Sequence, residues 1–166
     1  MNPWMLVAML PMLAWAGLNA LTAPIGLPPA PEPAPVITFE VLAHGAYSGV
    51  TLEQTQVVRD QSTWQSLWQE TYRILVPIPP VPSVDFAQHM VLAAFWGEKT
   101  SGGYNMTIEK IIDEPENRRV TLIRNKPGKN CLRTMAMSQP FYWALAPASA
   151  LPVTWNVEDR LLDCTE

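Results

Sequence analysis

The sequence predicts a mainly β domain with one early helix, an α+β chain built on an antiparallel sheet or sandwich. Three observations carry this expectation. Short runs with a two-residue apolar period recur between Gly, Pro and Asn clusters, as strands separated by turns would require. One stretch, from Trp64 to Tyr72, has its apolar side chains at helical spacing instead. No later stretch supplies the helices that parallel crossovers ordinarily use, so mainly antiparallel pairing is expected.

The elements follow in order. Val36 to Ala43 reads as a first strand, ended by His44-Gly45 and Ser48-Gly49, and Thr55 to Asp60 as a second. Ser62 and Gln65 match a capping box that would open the helix, whose face carries Trp64, Leu67, Trp68, Thr71 and Tyr72. That face is expected in the core. The prolines between Pro77 and Pro82 stop regular structure and lead to Met90–Trp96, an apolar run suited to a strand buried on both faces. Gly97 to Tyr104 (Gly-Glu-Lys-Thr-Ser-Gly-Gly-Tyr) separates that run from a strand in which Tyr104, Met106 and Ile108 alternate with polar residues. Paired glycines there permit a positive backbone φ and would aim Tyr104 reproducibly. Asp113 to Asn117 supplies a turn, and Val120 and Leu122 begin the return strand. Arg118 and Arg119 in the turn signal, and Lys126 and Lys129 around Pro127-Gly128, read as solvated loop charges. Leu132 to Met137, Phe141 to Leu145, and the alternation Val153, Trp155, Val157 complete the set of strands.

Ahead of this domain, no charged residue precedes Glu32, and Trp4 to Ala16 is almost wholly apolar. Residues 1–23 read as a signal peptide or an N-terminal anchor, since the apolar core is shorter than the roughly 20 residues of a membrane span. Ala14-Trp15-Ala16 offers the small-x-small pattern of a cleavage site. Residues 24–35 form a Pro-rich linker with extended, polyproline-like character, and 36–166 fit one β-rich domain. Contact with the membrane is expected only through the N-terminal segment, if it stays uncleaved. The expected localisation is extracytoplasmic: periplasmic, cell-surface or secreted.

The formal net charge of -4 and the lack of a clustered basic face argue against a nucleic-acid partner. The two cysteines, Cys131 and Cys164, read first as a disulfide in an exported chain. His44 and His89 have no Cys, Asp or Glu at metal-ligand spacing, so no metal site and no cofactor are expected. Each reads as a loop or surface residue. Asp85 and Glu98 are the acid and base pair worth weighing, and acidic residues at element ends are the commoner explanation. No serine sits in a Gly-x-Ser-x-Gly elbow and no Gly-rich loop opens a helix, so no catalytic residue is nominated and a non-enzyme is expected. Asn105-Met106-Thr107 forms a glycosylation sequon, a pattern short enough to arise by chance.

Asp85-Phe86, the run Val91 to Gly97, Lys99 to Tyr104 and Gln139-Pro140-Phe141-Tyr142 together resemble the PrcB C-terminal domain family, with Trp64 and Leu67 fitting its upstream helix. The resemblance spans about Val57 to Val157 and centres on the Gly-Gly-Tyr loop. It implies an exported, non-catalytic accessory or binding protein whose partner is another envelope or secreted protein, a protease complex being the family's founding case. The family example is lipid-anchored. No cysteine precedes Cys131 here, so that mode of attachment is not carried over. The candidate partner-binding residues are Thr100, Ser101, Gly102, Gly103, Tyr104, Gln139, Pro140 and Phe141. An alternative is a chagasin-like protease inhibitor, in which Thr100 to Tyr104 resembles a Thr-Thr-Gly-aromatic loop and Gln139-Pro140-Phe141 an Arg-Pro-Trp loop.

Overall fold

The structure, a computed structural model, describes residues 34–164. The expectations for residues 1–23, and for all of the linker but its last two residues, lie outside them. Among the described residues the order is β1 (Glu40–Gly45), β2 (Glu53–Val58), α1 (Gln61–Tyr72), β3 (His89–Trp96), β4 (Asn105–Asp113), β5 (Arg118–Pro127), β6 (Phe141–Pro147) and β7 (Val153–Leu162). The mainly β fold with one early helix is thus what the sequence predicts.

Three layers result. β1, β6, β3 and β2 form a wholly antiparallel sheet in that order, and β4, β5 and β7 form a second. Alternate residues of β3 point to opposite faces, so Met90, Leu92, Ala94 and Trp96 meet Met106, Ile108, Ile111, Val120 and Leu122 of the facing sheet. Val91, Ala93 and Phe95 point the other way and meet Trp64, Leu67 and Trp68 of α1. The apolar run at Met90–Trp96 is therefore buried on both faces, as expected.

Trp143 on β6 centres the helix-side core, its ring 5.0 Å from Trp64 and 5.3 Å from Trp68. The indole N–H groups of the two helix tryptophans leave the core edge-on. Trp64 donates to the Pro82 carbonyl at 2.9 Å and Trp68 to that of Pro79 at 2.8 Å. The Pro-rich loop thereby satisfies both polar atoms, and its Val81 packs against the same core. Truncating Trp64 or Trp143 to Ala would cost roughly 3–5 kcal/mol.

Several expectations need correction. The helix is capped by Asp60, whose carboxylate accepts the Thr63 N–H at 2.8 Å, and Ser62 lies inside the first turn, donating to Asp60 at 2.6 Å. An ionised Asp with N3 in reach is as good a cap as Ser, and it satisfies two further donors here. The first strand starts at Glu40, four residues later than expected, and Val36 makes only an isolated bridge to Ile112. The second ends at Val58, leaving Asp60 free to cap. His44 and His89 lie in β1 and β3 and not in loops; His44 is a surface residue as expected, exposed and stacked 6.0 Å from Tyr142, whereas His89 is half-buried.

Arg118 is not a solvated loop charge. It opens β5, is 2% exposed, and its guanidinium binds both Asp113 oxygens at 2.6 and 2.8 Å and the Pro147 carbonyl. Lys126 lies in β5 and pairs with Asp159 at 2.6 Å. The second sheet is also mixed: β5 and β7 run parallel. No helix is needed for this crossover, because the chain between them crosses to the other sheet, forms β6 there and returns. Finally, residues 132–137 form no strand. Both cores close without them.

Candidate docking end

Strand directions gather three connections at one end of the molecule. Gly45 at the end of β1 faces Phe141 at the start of β6, and Glu53 at the start of β2 faces Trp96 at the end of β3. In the other sheet Asn105 faces Asn125, and Pro127 faces Leu162. The connections 46–52, 97–104 and 128–140 and the C-terminal residues 163–164 therefore lie together.

Backbone hydrogen bonds fix them to each other. Lys99 and Ser138 exchange two, at 2.7 and 3.0 Å, and the Ser138 hydroxyl donates to the Ser101 carbonyl at 2.7 Å. Gly102 N–H donates to Thr134, Glu98 N–H to Thr51 and Gln139 N–H to Ala46. Ser48 closes the set, its hydroxyl donating to the Gln139 carbonyl at 3.0 Å. A disulfide joins Cys131 to Cys164, with Cα atoms 5.0 Å apart, and ties the 128–140 connection to the C-terminal tail.

The two nominated segments are brought together by this network, although they lie far apart in sequence. Their side chains are mostly inward. Gly102 is buried, and a Cβ there would sit 2.3 Å from Thr134 Oγ1, while Gly103 has φ +90°. The paired glycines therefore serve two needs, close approach and a left-handed backbone. Tyr104 is half-buried, edge-on to Trp96 at 5.3 Å, and packs on the core between the sheets. Pro140 and Phe141 are buried, Phe141 among the helix-side aromatics. Ser101 and Gln139 are half-buried. Thr100 and Gly103 alone of the eight are exposed.

What this end presents to solvent is the 132–137 stretch, for which the sequence predicts a strand. Leu132 is 102% exposed and Met135 97%, with Met137 also exposed beside them. Leu132 and Met135 line, with Thr100, Ser101, Cys131 and Arg133, a shallow cavity of about 510 Å³. Tyr47 and Leu52 on the neighbouring connection are exposed too. The signal was available: Leu132, Met135 and Met137 do not keep a strict two-residue period, and they follow a cysteine that a bridge would hold in place.

Most of the charge beneath this surface is used internally. Arg124 binds Glu53 at 2.6 Å and Asp159 at 2.7 Å, joining β2 of one sheet to β5 and β7 of the other. The hydrogen bonds from Arg124 and Lys126 hold the Asp159 carboxyl below its ordinary range. Lys99 lies 5.1 Å over the Trp96 ring, and burial pushes its ammonium down from the usual lysine value.

Asp85 and Glu98 are not brought together. Asp85 precedes β3 and Glu98 follows it, so about 25 Å of strand separates them. Among the described residues, no group of three or more His, Cys, Asp or Glu side chains could hold a metal ion, and no helix is long and apolar enough to cross a membrane.

Residues 90–144 match the family described as PrcB C-terminal. That segment runs from β3 to the middle of β6 and carries both nominated loops and the exposed 132–137 stretch. No curated protein and no solved structure matches the chain.

Proposed function

We propose that this PrcB-like chain is an exported, non-catalytic accessory protein that docks on another envelope or secreted protein, an envelope protease complex foremost, through the 97–104 and 128–140 connections. The observation that carries the reading is the exposure of Leu132 and Met135 on a backbone that is bridged covalently at Cys131 and hydrogen-bonded at Thr134 and Ser138. Exposed apolar side chains held on a fixed loop can bury area against a partner with little ordering cost. Unpinned, they would favour non-specific association. The Cys131–Cys164 bridge is compatible with an extracytoplasmic location, where disulfides persist.

The inhibitor reading is less well supported. It needs an aromatic ring at the tip of the Gln139-Pro140-Phe141 loop, and Phe141 is 4% exposed.

Copurification from envelope extracts tests the docking reading. The wild-type chain should recover a defined partner, and the double variant Leu132→Asp, Met135→Asp should lose it while keeping a cooperative unfolding transition. Recovery of the same partner by both proteins would refute the assignment of this surface.

A further inference from the structure

β7 is the longest strand edge left open. It closes the order β4-β5-β7, and among the described residues it has a neighbour on one side only. The β4 edge is partly covered, because Val36 bridges to Ile112 and the Ile37 N–H donates to Ile111. β1 and β2 are six residues each, whereas β7 has ten, and from Asn156 to Leu161 every residue is exposed. An exposed edge of this length offers a row of backbone groups to another strand.

The side chains on that edge select a partner. Val153 and Trp155 pack on the core between the sheets, so Val157, Asp159 and Leu161 share the inner face, and Glu158 and Arg160 the outer. Read outward from Asp159, the strand is self-complementary. An acid and a base flank Asp159 on either side, and Val157 and Leu161, both exposed, lie beyond them.

We propose that two copies of this chain pair their β7 strands antiparallel about a two-fold axis at Asp159, joining two three-stranded sheets into one of six strands. Glu158 then faces the partner's Arg160 on the outer face, where Arg160 already binds Glu109 at 2.8 Å and Glu158 at 3.4 Å within its own chain and gains a second acid across the axis, and Val157 faces the partner's Leu161 on the inner face. The axis is the one place where like charges meet, since Asp159 faces its own copy. Each Asp159 is already held by Arg124 at 2.7 Å and by Lys126 at 2.6 Å, and Arg124 also binds Glu53 at 2.6 Å, so four carboxylates and four cations gather there and their charges balance. Other registers lose the match. Centring on Glu158 opposes Asp159 to Val157, and centring on Arg160 opposes it to Leu161. An axis between two residues would pair inner-face side chains with outer-face ones, which a continuous sheet forbids. The contact is narrow, so the dimer is a weak, concentration-dependent one.

Sedimentation equilibrium of the full chain in a non-ionic detergent tests this with three proteins. Wild type should reach a monomer–dimer equilibrium, and E158R and R160E should each weaken it by about tenfold by opposing like charges in both symmetry-related pairs. An equimolar mixture of E158R and R160E should recover association, since one edge is then doubly positive and the other doubly negative. A monomeric wild type, single variants that associate as wild type does, or a mixture that stays dissociated would each overturn the proposal.

Discussion

The buried hydroxyl of Ser138 donates to the Ser101 carbonyl at 2.7 Å, and this one bond fastens the connection after β5 to the connection after β3. The two segments are 37 residues apart, yet the Lys99 and Ser138 backbones also exchange hydrogen bonds around it. The loop end is therefore rigid from within. Ser138→Ala leaves the Ser101 carbonyl without that donor and should cost about 1–2 kcal/mol in urea denaturation, with an unchanged dependence on denaturant. A loss below the error of the fit would show that water replaces the hydroxyl without penalty.

The Cys131–Cys164 bridge closes a loop with a sequence separation of 33. In the chain-entropy model such closure contributes roughly 3–4 kcal/mol by restricting the unfolded chain. Cys164→Ser should lower stability by about that amount, and reduced wild type should unfold at the denaturant concentration of the variant. If reduction leaves the midpoint where it was, the tail is held by other contacts and the bridge adds nothing.

Asp60 gives a pH signature of its own. Hydrogen bonds from the Ser62 hydroxyl and the Thr63 N–H hold its carboxyl down to about 2, from an ordinary 3.8. The folded value lies below the unfolded one, so the capping stability is present above about pH 4 and is lost as pH falls toward 2. Asp60→Asn keeps an N-cap acceptor and should flatten the pH dependence of unfolding within that window. Identical acid profiles for the two proteins would assign the acid sensitivity to another carboxylate.

The strands and the helix were legible because apolar periodicity is a local property, and the doubly buried β3 could be read from seven consecutive side chains, Met90 to Trp96. At the helix start the capping-box pattern at Ser62 competes with Asp60 two residues away, and only the geometry of the Thr63 N–H decides between them. The fate of Arg118 depends on Asp113 across a hairpin and on the Pro147 carbonyl 29 residues later, neither of which its own neighbours announce. The parallel pairing of β5 with β7 was hidden for a similar reason: the crossover passes through the opposite sheet, and sheet membership is not written in any single strand. At the loop end the glycines were readable as backbone devices. Which of the nominated side chains face water was not, because Phe141 and Tyr104 are drawn inward by cores built from distant residues.

Docking through a pinned apolar loop is the claim on which the functional account stands, and the affinity of the recovered partner for the loop variants measures it most directly. In a titration followed by calorimetry, the Leu132→Asp, Met135→Asp protein should bind at least about tenfold more weakly than wild type, as loss of central apolar contacts requires. Tyr104→Ala, which removes a ring packed on Trp96, should act mainly through stability. Equal affinities for wild type and the Leu132, Met135 double variant would contradict the account and move the interface elsewhere on the molecule.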